Sequence, residues 1–336
     1  SKLLPIGTGP FVLQKFQKDS QARYLANEKY WNGVPKIKNL VTLFVPDGSV
    51  RIQKLKTGEC DFISEVSPVD RTAIEADKKF TLHERAGFNY GYVGFNNELE
   101  KFKDVRVRRA IAHALDVDKY LKLIFLGRAT RAEMPVIKGM MGYTSTDPIK
   151  YDVKKFEALR KEVGDKFPRK ISLLVIPMSR PYNPSGSKMA ELIQADLKTV
   201  GIDVELVQYD WQAFFAAAKQ GKYEMILLGG NSTSKDSGVF LNAFFSCDSI
   251  GGFNVSRFCN PEFEKALTRA KETTSFEKKD KILQGAMKIF MRELPTIPVA
   301  HGNVARASRK GLTDYVLGPA GREDFSKIDL VETKIQ

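Results

Sequence analysis

The segment between residues 170 and 230 constrains the fold most strongly, because apolar runs alternate there with amphipathic stretches. The runs KISLLVIP, IDVELVQY and YEMILLGG are rich in β-forming residues and predict three strands. One helix is predicted over residues 187–200, ended by Gly201, and a second over residues 210–219, ended by Gly221. This order of strand, helix, strand, helix and strand predicts a parallel sheet covered by helices.

A candidate binding loop follows the first of these strands. In parallel sheets, ligands bind beyond the carboxyl ends of the strands, and the loops 178–186 and 230–238 lie at such ends. The first loop reads MSRPYNPSG, and Pro181 and Pro184 stiffen the chain around Arg180. A rigid guanidinium beside a helix amino-terminus suits a carboxylate or a phosphate, although a solvated surface arginine is the alternative interpretation.

The net charge is positive but does not identify a binding partner. The chain of 336 residues carries 53 Lys and Arg against 40 Asp and Glu, a formal net charge of +13. Such a charge suits a polyanion, an acidic lipid surface or an acidic ligand, and it is equally compatible with a solvated surface. Zinc-finger spacings and RNA-binding aromatic signatures are absent from the sequence, so no specific nucleic acid is predicted as a partner.

Motifs for catalysis or for cofactors are not found. His83, His113 and His301 are dispersed along the sequence, and packing or surface roles are predicted for them. There is no GxSxG elbow, and GTGP at residues 7–10 is not followed by the lysine and serine of a phosphate-binding loop. We therefore predict a protein that is not an enzyme, with no catalytic residue, metal site or cofactor.

The three cysteines predict one disulfide and one unpaired thiol. Cys247 and Cys259 flank a loop whose glycines and Asn254 allow the chain to turn back, which favours a disulfide over two free core thiols. Zinc is a poor alternative because no second Cys or His pair is nearby. Cys60 is left over, and in an oxidising compartment an odd cysteine implies an absent partner, either in another chain or in a missing part of this one.

Several segments carry a resemblance to a known family. The segment SRPYNPSGSKMAELIQADLKTVGI closely resembles bacterial dipeptide-binding proteins, the periplasmic receptors of peptide ABC transporters in solute-binding protein family 5. GTGPFVLQKFQKDSQARYLANEKYWNG and GYVGFNNELEKFKDVRVRRAIAHALDVDKYL are similar to further segments of that family. So are AFFSCDSIGGFNVSRFCNPEFEKAL and MRELPTIPVAH, in the same order, so the resemblance covers nearly the whole chain.

The resemblance implies an α/β fold of the two-lobed periplasmic-binding-protein type II, with mixed sheets flanked by helices. The larger lobe is expected at residues 1–91 and 299–336 and the second, ligand-binding lobe at 92–298, with a hinge near 92–97 and 297–301. Family members have an additional amino-terminal portion with a signal peptide, so the larger lobe is expected to be incomplete at its amino-terminal side. In the dipeptide receptors the cysteine matching Cys60 pairs with one in that portion, which is therefore a predicted partner.

The resemblance also implies roles for residues of the two loops. The arginine matching Arg180 takes the ligand carboxylate, and an aspartate in the loop after the third strand takes the α-ammonium group. Here Thr233 stands at the aspartate's position and Gly230 at that of a family tryptophan, whereas Asp236 lies three residues further on. The predicted ligand-binding residues are Arg180, Tyr182, Asn183, Thr233 and Asp236.

The function implied is that of a periplasmic solute receptor. Such a receptor captures a small peptide between two lobes and delivers it to the membrane permease of an ABC importer. Because Thr233 carries no charge, haem or another carboxylate-bearing ligand is the alternative within this class. A protein that binds a polyanion or an antimicrobial peptide on the same fold is the alternative from a different class, and its binding should depend steeply on salt.

Overall fold

The structure, a computed structural model, describes residues 5–331 and divides into two compact units. The first unit comprises the chain up to Arg85 and from Val304 onward, and the second comprises residues 86–303. Each unit has its own cluster of buried apolar side chains. The lobes expected at 1–91 with 299–336 and at 92–298 stay a prediction, and their terminal residues lie outside the described range.

Strands and helices alternate through most of the described chain. In chain order they are β1 (Phe11–Gln17), β2 (Gln21–Ala26), β3 (Asn39–Leu43), α1 (Gly48–Thr57), β4 (Phe62–Ser64), α2 (Pro68–Ala76), β5 (Phe80–Ala86), β6 (Asn89–Phe95), α3 (Glu100–Lys103), α4 (Val105–Ala114), α5 (Val117–Ile124), β7 (Ala129–Arg131), α6 (Val153–Val163), β8 (Lys170–Val175), α7 (Gly186–Thr199), β9 (Asp203–Gln208), α8 (Trp211–Gln220), β10 (Met225–Asn231), α9 (Ser237–Phe245), α10 (Pro261–Glu272), α11 (Phe276–Glu293), β11 (Thr296–Arg309), β12 (Leu312–Thr313) and β13 (Asp329–Leu330). The fold is therefore of the α/β class, as predicted.

The first unit contains three small groups of strands. Strands β1, β2 and β3 form an antiparallel sheet, β12 pairs with β13, and β4 pairs with residues 306–308 of β11. Helix α1 is capped at its amino end by Asp47, whose carboxylate accepts a hydrogen bond from Val50 N, and at its carboxyl end by Gly58 with φ of 80°. The core of this unit is small and consists of Ile52, Leu55, Ile63, Val66, Ile74, Ala305 and Ala307.

The second unit is built on a mixed sheet with the strand order β11, β6, β10, β8 and β9. The pairs β8–β9 and β8–β10 are parallel, which confirms the predicted parallel strands, and β6 runs antiparallel to both β10 and β11. Helices α7 and α8 confirm the two helices predicted between these strands. Gly201 and Gly221 follow them with φ of 79° and 70°, values that an L side chain rarely adopts.

Candidate functional site

The predicted binding loop forms a tight turn at residues 180–183. Arg180 N donates a hydrogen bond to Asn183 O and Asn183 N donates one to Arg180 O, both at 2.9 Å. Pro181 occupies the first central position of the turn, where its fixed φ is favourable. The paired hydrogen bonds and the proline hold the backbone of Arg180 in one conformation.

The turn packs against three glycines of neighbouring strands, Gly91, Gly229 and Gly302, which we call the glycine cradle. A Cβ atom at Gly91 would overlap Tyr182 O, and one at Gly302 would overlap Pro181 O. A Cβ atom at Gly229 would lie 2.7 Å from Tyr182 Cγ. Only glycine lets the turn approach the sheet this closely.

Hydrogen bonds within the sheet fix one side of this cradle. Asn89 Nδ2 donates to Gly302 O at 2.7 Å, and Gly302 N donates to Asn89 Oδ1 at 2.8 Å. The buried His301 donates from Nδ1 to Asn89 O, and burial lowers the pKa of His301 to about 4. The imidazole is therefore neutral at physiological pH, in agreement with the packing role predicted for this histidine.

The guanidinium of Arg180 is positioned by an aromatic ring. Its carbon Cζ lies 5.3 Å from the centroid of the Trp211 ring, at the start of α8, which is a cation–π contact. Its hydrogen bond to protein is a long one, from Nη1 to Ser179 O at 3.4 Å. Within residues 5–331 no carboxylate lies within ion-pair distance of Arg180, so its hydrogen-bond donors are available to an anion.

Asn183, which closes the turn, is buried with an unsatisfied side chain. The residue is 1% exposed, yet neither Nδ2 nor Oδ1 has a hydrogen-bond partner among the described residues. A buried amide without partners costs about 1–3 kcal/mol. Such a group is a candidate to bind a ligand or an ordered water next to Arg180.

The second predicted loop follows β10, and its residues differ in environment. Because β8 and β10 are parallel neighbours, their carboxyl ends lie at the same edge of the sheet, which brings the two loops to that edge. Thr233 is exposed. Asp236 instead caps α9, since it accepts a hydrogen bond from Gly238 N at 2.9 Å and forms an ion pair with Lys279.

Gly230 has no room for a large side chain. A Cβ atom at this position would lie 2.6 Å from Cε1 of Phe244 and 3.0 Å from Cε2 of Phe240, both on α9. The resemblance places a tryptophan here in the dipeptide receptors. In this chain the Phe244 ring of α9 lies against Gly230. An aromatic ring is therefore present at this place, although it comes from a different element of the fold.

The predicted disulfide between Cys247 and Cys259 is present in the structure. Between them the chain carries Asn254, whose buried amide donates to Ser246 O and to Phe258 O at 2.8 Å each. Cys60 is a free thiol in the part of the chain that the structure describes, and burial raises its pKa. The disulfide and the amide together fix the loop that follows α9.

Sequence reasoning did not identify the glycine cradle or Trp211 as part of the site. The signal for the glycines was present, since an isolated glycine inside a strand pattern such as NYGYVGF marks close backbone approach. The residues next to these glycines do not indicate which distant segment will approach them.

In the described residues there is no cluster of three or more metal-ligating side chains, and no helix is both long and apolar enough to cross a bilayer.

The mixed sheet flanked by helices and the division into two units place the chain among two-unit α/β proteins, and the sequence identifies the family. Residues 1–252 match the bacterial extracellular solute-binding proteins, family 5 (middle), and the chain belongs to this family.

Named relatives narrow this placement. The dipeptide-binding protein of Escherichia coli K12 is 35% identical over 330 residues, which are 98% of this chain and 62% of that protein. Heme-binding protein A of Haemophilus influenzae is 32% identical over 322 residues, 96% of this chain and 59% of that protein. The chain therefore spans about three fifths of the length of these relatives.

The structure is also similar to a solved one. It superimposes on the crystal structure of a dipeptide-binding protein from Pseudoalteromonas sp. SM9913 in complex with Met-Leu with a TM-score of 0.89 at 29% sequence identity, and the match covers 98% of this chain and 65% of that one.

Proposed function

We propose that this chain is the ligand-binding part of a periplasmic solute receptor that takes up a small peptide and delivers it to the permease of an ABC importer. The observation that carries the proposal is Arg180, held on a rigid turn with no acidic partner in the described residues. A charged group fixed in this way is prepared for an anionic ligand before the ligand arrives. Relatives named for dipeptide binding support a peptide carboxylate as that anion.

The other predicted residues have distinct roles in this proposal. Tyr182 anchors the turn in the glycine cradle, and Asn183 offers a buried amide donor and acceptor to the ligand. Thr233 offers a neutral hydroxyl near the ligand amine, while Asp236 would take that amine only after leaving Lys279. The pairing of Cys60 with a cysteine of another segment stays a prediction of the family resemblance.

The test is calorimetry with a dipeptide and with its carboxyl-amidated form. If Arg180 binds the carboxylate, Arg180→Ala should weaken dipeptide binding by about 2–5 kcal/mol, because the carboxylate loses its partner in a desolvated site. Arg180→Lys should recover part of that loss, since an ammonium lacks the planar fork of donors.

A matched control is Arg169→Ala, which removes an exposed arginine just before β8 and should leave affinity unchanged. Equal affinity of the wild-type protein for the free and the amidated dipeptide would exclude carboxylate recognition by Arg180.

Haem or another carboxylate-bearing ligand without an amine is a second candidate. The exposed, uncharged Thr233 favours it, because an ammonium group finds no carboxylate at that position. A relative named for haem binding gives the same indication. Binding of haem together with no binding of free dipeptides would favour this candidate over the first.

A surface that binds a polyanion or an antimicrobial peptide is the remaining alternative, and salt distinguishes it. Many exposed contacts with a polyanion weaken steeply as ionic strength rises, whereas one desolvated ion pair is screened much less. Titrations at low and high salt therefore separate the two.

A further inference from the structure

Four aromatic side chains of the second unit form a continuous surface, which we call the aromatic strip. Its members are Trp211 and Phe215 of α8, Phe253 of the disulfide loop and Phe244 of α9. Successive ring centroids along it, from Trp211 to Phe215, Phe253 and Phe244, lie 5.0, 6.4 and 5.5 Å apart. The strip is thus assembled from α8 and, further along the chain, from α9 and the loop that follows α9.

The strip is open to solvent, although one end is anchored in the core. Phe253 is 55% exposed, and the other three members are partly exposed. At the anchored end, the Phe244 ring lies 4.6 Å from that of the buried Phe240. Contiguous apolar surface is costly to leave in water, and on soluble proteins it commonly marks a binding site.

Two positively charged side chains lie over rings of the strip. The Arg180 guanidinium lies over Trp211, and Lys219 Nζ lies 5.4 Å from the centroid of Phe215. A ligand that complements this pattern carries a carboxylate next to a large apolar group. The Arg180 guanidinium lies 5.3 Å from the centroid of the Trp211 ring, so a carboxylate bound by Arg180 lies next to the strip, with the side chain of the same ligand residue within reach of it.

We propose that the aromatic strip binds the side chain of the ligand's carboxy-terminal residue and selects peptides in which that residue is aromatic or large and aliphatic. The inference rests on the proposed function, because it uses Arg180 as the carboxylate anchor. It assigns specificity to Phe253, Phe215 and Trp211, which the sequence analysis did not identify as ligand-binding residues. Peptides with a small carboxy-terminal residue leave the strip in water and gain nothing from it.

The experiment compares Ala-Phe with Ala-Ala, two dipeptides with the same backbone charges. Calorimetry on the wild-type protein should give affinity for Ala-Phe at least about tenfold higher, the scale expected for an aromatic group leaving water. Phe253→Ala should reduce this ratio by about fivefold or more, and Phe253→Leu should reduce it less. The control Phe276→Ala removes a phenylalanine that is 66% exposed and outside the strip, and it should leave the ratio unchanged.

A spectroscopic readout accompanies the calorimetry. The chain has two tryptophans, so Trp31→Phe leaves Trp211 as the single reporter. Its emission should shift to shorter wavelength when Ala-Phe binds and change little with Ala-Ala.

The outcomes separate the two proposals. Failure of the wild-type protein to bind either dipeptide overturns the peptide function and the strip together. If both dipeptides bind and Phe253→Ala leaves their affinity ratio at the wild-type value, the strip is overturned while the peptide function stands.

Discussion

Gly91 and Gly229 lie directly opposite each other on the antiparallel strands β6 and β10, and Tyr182 fills the space above them. Two facing glycines remove both side chains from one position of the sheet. The turn that carries Arg180 therefore rests on main-chain atoms instead of on side chains. The position of the candidate anion site is thus set by the absence of side chains at two paired positions.

The glycine cradle should be sensitive to a single added methyl group. Gly229→Ala introduces a Cβ atom that meets the Tyr182 ring and the backbone oxygen of Tyr90, so we expect about 1–3 kcal/mol of destabilisation and weaker dipeptide binding. The control Gly285→Ala lies on the exposed side of α11 with no atom nearby and should raise stability by about 1 kcal/mol. Urea denaturation measures both, and equal stabilities would contradict the role of the cradle.

Thr233→Asp tests whether the ligand carries a free amine. If it does, an added carboxylate should strengthen binding of a dipeptide by about 1–3 kcal/mol through a charge-assisted hydrogen bond. An amino-acetylated dipeptide has no ammonium group and should not benefit. Calorimetry with both peptides on both proteins gives the comparison, and an equal gain for the two would show that Thr233 does not face the amine.

The thiols should react in a fixed pattern. Because Cys247 and Cys259 are joined, labelling in denaturant without reductant should modify one cysteine per molecule, Cys60, and labelling after reduction should modify three. In the native protein Cys60 should react slowly at neutral pH, since burial raises its pKa and disfavours the thiolate. Mass spectrometry counts the labels, and three labels without reductant would refute the disulfide.

Removing the disulfide should lower stability. The loop that it closes is short, with a sequence separation of 12, so we expect a loss of about 3 kcal/mol in the double variant Cys247→Ser and Cys259→Ser. Cys60→Ser provides the matched control, because it removes a cysteine without removing a crosslink. Identical urea midpoints for the double variant and the control would disagree with this expectation.

The buried His301 should make stability fall with acidity. Its pKa is lowered to about 4 in the folded protein by burial, whereas an unfolded histidine titrates near 6.5. The stabilisation is therefore complete above about pH 6.5 and is lost progressively as the pH falls to about 4, by up to about 3 kcal/mol. The slope of stability against pH in this window should be smaller in His301→Gln, whatever its absolute stability. An unchanged slope would assign the pH dependence to other groups.

The sequence predicted those strands, helices, helix ends and disulfide that depend on residues close together in the chain. The alternation of apolar runs with amphipathic stretches gave β8, α7, β9, α8 and β10 in the correct order. Gly201 and Gly221 gave the helix ends because their positive φ is a local requirement. The disulfide was predictable because its two cysteines are close in sequence.

The sequence could not predict which distant segments come together. The contact of Tyr182 with Gly91 and Gly229 depends on strand pairing that no short pattern encodes. The placement of Arg180 over Trp211 likewise joins a loop to a helix about thirty residues away, through the packing of both on one sheet. For Asp236 the pattern indicated a turn or a ligand group, and the structure adds the helix cap and the ion pair with Lys279.

The glycine cradle has a consequence for how this candidate binding site can change during evolution. Carbonyl oxygens of Pro181 and Tyr182 set the height of the turn over the sheet, and the side chain at position 180 takes no part in these contacts with the glycines. With Arg180 as the proposed anion-binding residue, replacement of that one side chain should alter the charge of the accepted ligand without moving the turn. New ligand preferences are accessible to such a protein by single substitutions, provided that its three glycines are kept.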